Sequence, residues 1–391
     1  MPEFTTLPPL SLYIHFPWCV EKCPYCDFNS HTLKTPLPTE EYIDCLLLDL
    51  ENELPSIWGR SIQTIFMGGG TPSLFTAEAI DKLLQGLRAR LNFSLNIEIT
   101  LEANPGTIDQ SQFIGFRQAG VNRLSMGIQS FEDNMLNKLG RIHDSSQAFS
   151  AVEAARNANF KNFNLDLMFG LPEQTIEQMI KDLQTAIALN PSHLSHYQLT
   201  LEPNTLFARH PPRLPDDDDL WEMTLQSHQL LKDANYQQYE ISAFSKQETS
   251  NTTSQCKHNL NYWQFGDYLG IGAGAHQKLS FANTQSIERR IKQKHPAQYM
   301  SQVKNNEHVI EQHSLEDKDI LFEFMLNALR LTNGFELKLI PDNAGLNSEI
   351  TRAQLDEAQQ NNWVIIKDDK IIPTATGQQY LNDLVSLFLP E

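Results

Sequence analysis

The chain has 391 residues, of which 40% are hydrophobic and 20% charged, and its formal net charge is −18. Single cores stop growing at ~250–300 residues, so a chain of this length is expected to contain more than one domain. The acidic excess argues against nucleic acid as a partner, because phosphate binding requires a clustered basic face. We find no signal peptide and no apolar run long enough to cross a bilayer. We therefore expect a cytoplasmic protein, with peripheral membrane contact as an alternative.

Apolar, β-rich runs alternate with longer amphipathic runs along most of the chain, a pattern that is typical of repeated βα units. The predicted strands cover residues 10–15, 62–67, 96–102, 123–128, 163–168, 194–199 and 238–243. The predicted helices cover residues 39–54, 77–91, 111–119, 145–158, 175–189 and 217–234. So many consecutive units predict an α/β fold built on a full or partial TIM-like (β/α) barrel.

The pattern changes near the end of this region, where a glycine-rich segment, 270–275, precedes a basic run, 288–295, that we predict to be a solvated helix face. The tail contains two helices, a hairpin at 363–373 and a last helix, an order that resembles a winged helix. We predict a barrel domain at 1–285 and a C-terminal winged-helix-like α+β domain at 286–391. The tail is not basic, so a packing or interaction role is favoured over DNA binding.

Three of the five cysteines, Cys19, Cys23 and Cys26, lie on the loop that follows the first predicted strand. The odd total and this clustering do not fit a disulfide framework and indicate a reducing compartment. Three thiolates at CxxxCxxC spacing can hold one [4Fe–4S] cluster, and without a fourth cysteine one iron stays open to a small ligand. The alternatives are unliganded thiols or a zinc site completed by His15 or His31.

Further polar motifs follow the later strands, where a barrel would gather them at one end. The glycines of segment 68–72 allow a ligand to approach the backbone closely. Glu102 ends the third strand, and its carboxylate can accept hydrogen bonds from ribose hydroxyl groups. Gln129 ends the fourth strand, Arg141 follows it, and Asp166 lies within the fifth. Each residue alone fits a cap or a surface position, but together they repeat one position in successive units.

The cysteine loop resembles that of the radical S-adenosylmethionine (SAM) superfamily, in which SAM binds the open iron of the cluster. Over essentially its whole length the chain resembles the oxygen-independent coproporphyrinogen dehydrogenase family, which comprises HemN and its relative HemW. The resemblance places the SAM contacts on the matching residues of this chain, which are Tyr13, Tyr25, Gly69, Gly70, Thr71, Glu102, Gln129, Arg141 and Asp166.

Two departures from the HemN pattern favour the HemW branch. HemN has a further cysteine where this chain has Phe28, and HemN carries a long N-terminal extension, whereas eighteen residues precede Cys19 here. The HemW resemblance implies a haem chaperone that passes haem to apo-haemoproteins such as membrane respiratory enzymes. It also implies the cluster and SAM without coproporphyrinogen dehydrogenase activity, and it is compatible with a homodimer. The alternative is a radical SAM oxidase that cleaves SAM reductively and oxidises a porphyrin-type substrate.

A HemW-type marker, residues 258–263, gives a candidate haem ligand. His258 can ligate haem iron while the nearby Tyr262 and Trp263 cover the macrocycle. The competing interpretation is that His258 is hydrogen-bonded in a packed loop. Cys256 is an alternative thiolate ligand, although a buried structural thiol is the interpretation that its type favours.

Overall fold

The structure is a computed structural model that describes residues 2–247 and 254–390. Within these residues, twelve strands form one mixed sheet, a two-stranded sheet holds the cysteine loop, and a three-stranded sheet lies near the C-terminus. The strands are β1 (Leu10–Phe16), β2 (Trp18–Cys19), β3 (His31–Thr32), β4 (Ser61–Gly69), β5 (Asn92–Ala103), β6 (Arg123–Gln129), β7 (Asn162–Phe169), β8 (His193–Gln198), β9 (Tyr236–Glu240), β10 (Ala243–Lys246), β11 (Asp267–Ile271), β12 (His276–Phe281), β13 (Ser286–Lys292), β14 (Val309–Ser314), β15 (Phe335–Glu336), β16 (Val364–Lys367) and β17 (Lys370–Pro373).

The first six helices of the chain connect consecutive parallel strands of the large sheet, as the βα pattern predicts. Several begin at side-chain caps: Asp109, Asp144 and Thr175 each accept a hydrogen bond from the backbone N–H three residues later, in capping boxes completed by glutamine. The helices are α1 (Thr39–Glu53), α2 (Ala77–Arg88), α3 (Gln110–Ala119), α4 (Asp133–Lys138), α5 (Ser145–Asn157), α6 (Ile176–Ala188), α7 (Leu206–Arg209), α8 (Asp217–Asp233), α9 (Lys257–Trp263), α10 (Pro296–Gln302), α11 (Asp317–Ala328), α12 (Arg352–Gln360), α13 (Ala375–Gln379) and α14 (Leu381–Ser386).

The large sheet has the strand order β14-β13-β12-β11-β1-β4-β5-β6-β7-β8-β10-β9. Strands β11, β1 and β4 to β8 lie side by side and run parallel to one another, so their carboxyl ends meet at one rim. Strand β1 is buried on both faces, because helices cover one face and the curved interior of the sheet covers the other. The prediction of a partial (β/α) barrel is therefore confirmed.

The prediction of one strand at 238–243 is wrong. The chain instead forms two strands, β9 and β10, which pair antiparallel to each other, and β10 also pairs antiparallel to β8. The turn between them reverses the chain before a further parallel unit can form. The last βα unit is therefore replaced by a hairpin at the edge of the sheet.

The prediction of a solvated helix face at 288–295 is also wrong, because most of this run belongs to β13. Lys292 is fully buried and binds Asp49 at 2.9 Å and the carboxylate of Glu53, both on α1. The neighbouring Arg290 also binds Glu53, at 2.9 Å. Arg290 and Lys292 therefore tie the antiparallel side of the sheet to α1 by ion pairs instead of facing solvent.

The C-terminal region has its own core of buried side chains from α11, α12, α14 and the small sheet, in which β17 lies between β15 and β16. This arrangement of helices and a hairpin confirms the winged-helix-like prediction. Phe4, Phe265 and Ile287 pack into the same core. The predicted division after residue 285 stays a prediction, and the strand that begins at Ser286 pairs with β12. Within the described ranges, no helix is long and apolar enough to cross a bilayer.

Candidate metal and cofactor site

A cavity of about 550 Å³ opens at the carboxyl ends of the parallel strands. This is the rim at which barrel folds place their functional residues. All but two of the predicted site residues line the cavity. They are Cys19, Cys23, Tyr25, Cys26, Gly69, Gly70, Thr71, Glu102, Gln129, Arg141 and Asp166.

The cysteine loop is pinned at both ends by the short parallel pairing of β2 with β3, in which Trp18 pairs with His31. Between these ends, a turn brings the Cys26 N–H to 3.1 Å from the Cys23 carbonyl. The three loop cysteines are unbridged and half-buried. Burial raises the pKa of the Cys19 and Cys26 thiols, so a cationic metal centre is the partner that would favour their thiolate forms.

The spacing of the donor groups bears on which metal centre fits. Within residues 2–247 and 254–390, no three Cys, His, Asp or Glu side chains stand close enough to share a single metal ion. A zinc ion requires such convergence, whereas a [4Fe–4S] cluster takes one thiolate at each of several separate irons. Three thiols around one cavity therefore fit the cluster better than they fit zinc. The other cysteines, Cys45 and Cys256, are buried away from this cavity.

Arg141 lies against the cysteine loop. Its Nη1 is 3.6 Å from the Cys23 sulfur, and its Nη2 donates to the Gly127 carbonyl at 2.7 Å. Its Nε is buried without a hydrogen-bond partner among the described residues. A buried guanidinium with an unused donor beside a cavity is suited to an anionic group, such as the carboxylate of a bound ligand.

The glycine segment, residues 68–72, forms part of the cavity wall. Gly69 has φ +111°, and a Cβ there would lie 2.4 Å from the His15 ring. A Cβ on Gly70 would lie 2.5 Å from the Trp18 carbonyl oxygen, because the Gly70 N–H donates to the Phe16 carbonyl at 2.7 Å. Only glycines allow β4 to end this close to β1 and to line the cavity at this turn.

Two carboxyl groups face the cavity from β5 and β7, the strands on either side of β6. Glu102 accepts a hydrogen bond from the Gly69 N–H at 3.1 Å, and burial together with the charge of Asp166 raises the pKa of Glu102 to about 8. Burial also raises the pKa of Asp166, although Asn164 and Ser125 donate hydrogen bonds to it at 2.7 and 3.2 Å. This wall can accept hydrogen bonds from hydroxyl and amino groups and can attract a cation.

Tyr13 and His258 do not line the cavity. The Tyr13 hydroxyl is 3.0 Å from His15 Nδ1, and its ring stacks on Phe66. His258 is only 1% exposed, with Nδ1 at 2.7 Å from the Thr64 hydroxyl and Nε2 at 3.1 Å from the Tyr262 hydroxyl. Haem ligation by His258 would require loss of one of these hydrogen bonds, so it stays a prediction that this geometry does not favour.

Other cavity residues were not predicted from the sequence, among them Ser30, Ser195 and Tyr197. The Tyr197 hydroxyl donates to Gln129 Oε1 at 2.9 Å and fixes that amide at the rim. Ser195 and Tyr197 lie two residues apart on β8, so both side chains are on the face that lines the cavity. Asp166 was predicted from the same kind of position on β7. Extending the same rule by one strand would have found them.

Two family models match the chain. The model of the radical SAM superfamily matches residues 13–186, and the model of the HemN C-terminal domain matches residues 315–380. Among solved structures, coproporphyrinogen III oxidase (HemN) from Escherichia coli superposes with a TM-score of 0.81 and 23% identity. The alignment covers 98% of this chain and 90% of that chain. The fold and the three-cysteine cavity therefore define a radical SAM protein with a HemN-type fold.

Two relatives show which family the chain belongs to. The protein named heme chaperone HemW from Haemophilus influenzae is 51% identical over 389 residues, which cover 98% of this chain and 99% of the relative. The protein of the same name from Escherichia coli is 49% identical over 385 residues, with 98% and 99% covered. The chain belongs to the HemW family.

Proposed function

We propose that this protein is a haem chaperone that binds haem and transfers it to apo-haemoproteins. The observation that carries the proposal is the 51% identity, over nearly the whole chain, to a relative named heme chaperone HemW. Phe28 supports it. This side chain is 59% exposed beside the cavity, at the position where HemN has a further cysteine.

The cavity residues divide into two sets under this proposal. Cys19, Cys23 and Cys26 would hold a [4Fe–4S] cluster, and the cluster with SAM would supply one-electron chemistry when bound. Arg141 would neutralise charge beside Cys23, and the amide of Gln129 is positioned by Tyr197. The remaining wall would hold SAM by backbone groups and hydrogen-bond acceptors, through Tyr25, Gly69, Gly70, Thr71, Glu102 and Asp166.

The proposed haem-chaperone function implies the partners of this protein. Haem is the cargo, and the receiving proteins are apo-haemoproteins, of which membrane-bound respiratory enzymes are one class. Recipients in the membrane would bring the chaperone to the membrane surface without a spanning segment. A homodimer would double the haem-binding surface available to one recipient.

A two-arm experiment tests the function. In the first arm, protein with a reconstituted cluster is titrated anaerobically with haem and mixed with a haem-depleted b-type cytochrome. We expect stoichiometric haem spectra and recovery of the cytochrome spectrum. In the second arm, the same protein receives coproporphyrinogen III, SAM and a reductant, and we expect no decarboxylated product. Substrate-dependent 5′-deoxyadenosine with a vinyl product, and no haem binding, would establish the oxidase alternative instead.

A matched pair of variants is tested in both arms of this experiment. Cys19→Ser should lose most cluster iron, because its sulfur would no longer be available to one iron. Cys256→Ser should keep the cluster, since Cys256 is fully buried with its sulfur 3.6 Å from Glu98 Oε1. Comparing haem transfer by the two variants separates the contribution of the cluster from that of the haem site.

A further inference from the structure

A second cleft, of about 510 Å³, also borders the cysteine loop. Ser30 is the residue that lines both the cleft and the cavity, and its hydroxyl is 3.8 Å from the Cys26 sulfur. Trp18 lines the cleft as well and directly precedes Cys19 in the chain. Two of the three proposed cluster ligands therefore lie next to the cleft, and a ligand that fills the cavity would leave the cleft open.

The charge around this cleft is opposite to that of the whole chain. None of the described residues that line it is acidic, although Asp and Glu outnumber Lys and Arg by 48 to 30 in the sequence. Exposed Lys34 lines the cleft, and exposed Lys294 directly precedes His295, which also lines it. A third exposed lysine, Lys22, donates from its amino group to the Ser30 carbonyl at 3.4 Å. The cleft therefore has a basic margin.

The charge of these three lysines is available to a partner. Within the described ranges, no carboxylate lies within ion-pair distance of any of them, and Lys22 binds only to backbone carbonyls. The two exposed carboxylates of the cysteine loop, on Glu21 and Asp27, line the cavity and not the cleft. Exposed and unpaired cations produce a local positive potential, which attracts an anionic surface from solution.

The centre of the cleft is apolar. Pro38, Ala297 and Met300 contribute to its wall, and the Trp18 side chain lies at its base with 8% of its surface exposed. An apolar centre inside a charged margin is the usual anatomy of a protein–protein interface. A cleft of this size suits a small and transient one, of the kind that electron-transfer partners form with less than ~1,200 Å² buried.

We infer that this cleft is the docking surface for an acidic iron–sulfur protein that donates single electrons to the cluster. The inference rests on the cluster assigned under the proposed function and adds the partner that reduces it. The donor loses one electron and the cluster gains it, while no bond forms or breaks and no proton moves. The short path from the cleft to Cys19 and Cys26 supports this role, because electron transfer slows steeply with distance.

The test mixes protein that carries an oxidised, reconstituted cluster with a reduced plant-type [2Fe–2S] ferredoxin, which is acidic and of low potential. Rapid-freeze electron paramagnetic resonance follows the loss of the ferredoxin signal and the gain of the cluster signal. At an ionic strength of about 10 mM, Lys34→Glu/Lys294→Glu should be reduced at least about tenfold more slowly than the wild type. The difference should disappear at high salt, whereas an altered cluster potential would slow reduction at every salt concentration. Iron content should not change.

Lys161→Glu/Lys232→Glu is the matched control. It changes the net charge by the same amount, but Lys161 directly precedes β7 and Lys232 lies in the last turn of α8, at the opposite rim of the sheet. This control should be reduced at the wild-type rate, as should Lys34→Arg/Lys294→Arg, which keeps both charges. Dithionite, which is too small to need a docking surface, should reduce all four proteins at rates within about threefold of one another.

The inference is overturned if Lys34→Glu/Lys294→Glu takes electrons from ferredoxin at the wild-type rate at low salt, or if the control pair is slowed equally. It is also overturned if ferredoxin reduction is unchanged while binding to vesicles of phosphatidylcholine and phosphatidylserine is lost, which would make the cleft a membrane contact. Because ferredoxin reduction is measured without haem, a loss of haem transfer in the two-arm experiment would refute the proposed function without altering this result.

Discussion

The burial of the Glu102 carboxyl group is explained by a role in ligand binding and not by stability. Its carboxyl group is buried beside Asp166, an arrangement that favours the neutral acid and costs folding free energy when the group ionises. A protein that needed only stability would place an apolar or amide group here. A carboxyl group is retained at a cost, which is typical of residues that contact a ligand.

The raised pKa of Glu102 predicts a pH dependence of stability. The folded protein keeps this group protonated up to about pH 8, whereas the unfolded chain releases the proton at its ordinary, lower pKa. Between these values the folded state binds more protons, so the free energy of unfolding should fall as the pH rises. In SAM-free protein, Glu102→Gln should remove this contribution and be more stable than the wild type at pH 8.5, by about 1 kcal/mol.

Urea unfolding at pH 6 and pH 8.5 measures this difference, and Glu153→Gln, at an exposed position on α5, serves as the control. The same Glu102→Gln variant should bind SAM about tenfold more weakly, because an oxygen that can accept a hydrogen bond from the ligand is replaced by an amide nitrogen that cannot. Equal pH dependence in the variant and the wild type would show that Glu102 is not the group responsible.

At the scale of the elements, the sequence predicted what depends on local patterns. The helices α1, α2, α3, α5, α6 and α8 and the strands β1 and β4 to β8 were located because their apolar periodicity and caps are local properties. The basic strand β13 was missed because its partners, Asp49 and Glu53, lie more than two hundred residues earlier on α1. The sequence near β13 contains no partners for its charged side chains, so these side chains were expected to face solvent.

The candidate site could be predicted for a related reason. The residues that line the cavity follow successive strands, so a repeated position in the sequence becomes a shared position in space. The neighbours of the cysteine loop could not be found in this way. The Asn29 side chain donates to the carbonyls of Ala273 and Lys294, which belong to no repeat and lie more than two hundred residues further along the chain.

The close approach of β4 to β1 gives a prediction at the element scale. Gly70→Ala should destabilise the protein by about 3 kcal/mol, because the new Cβ would meet the backbone carbonyls of Phe16 and Trp18, which cannot move independently of β1. SAM binding should weaken at the same time, since the turn that lines the cavity would shift. Chemical denaturation and equilibrium dialysis with SAM measure the two effects.

Gly59→Ala supplies the control for backbone strain. Gly59 has φ +79°, but a Cβ at this position would meet nothing within 4 Å, so alanine there should cost only about 1 kcal/mol and leave SAM binding unchanged. If both substitutions cost the same and neither affects SAM, the close packing at Gly70 does not shape the site.

At the scale of the whole molecule, the C-terminal region is joined to the barrel by a shared core. Phe265, which follows α9, packs edge to face on Phe324 of α11, with ring centroids 5.7 Å apart. Arg330 adds an ion pair with Glu240 at 3.0 Å and lies over the Trp263 ring. The HemW-type marker, residues 258–263, therefore lies at the junction between the barrel and the C-terminal region.

This shared core predicts a global effect of a single truncation. Phe324→Ala should lower the free energy of unfolding by about 3–5 kcal/mol, because Phe324 is fully buried between Phe265 and Phe335. Leu326→Ala on the same helix should change it by no more than about 0.5 kcal/mol, since that side chain is 47% exposed. Circular dichroism during denaturation compares them, and an equal loss in both variants would contradict the shared-core interpretation.

The large sheet begins at β14 and ends at β9, and these two edge strands form no backbone ladder with each other in the described part of the chain. The circumference of a closed barrel is fixed by an unbroken ring of peptide hydrogen bonds. Here the edge strand β9 is instead held by the segment that follows α11, through the ion pair of Arg330 with Glu240 and through the Thr332 N–H, which donates to the Tyr239 carbonyl at 3.2 Å. At this edge the C-terminal region therefore takes the place of the missing neighbouring strand.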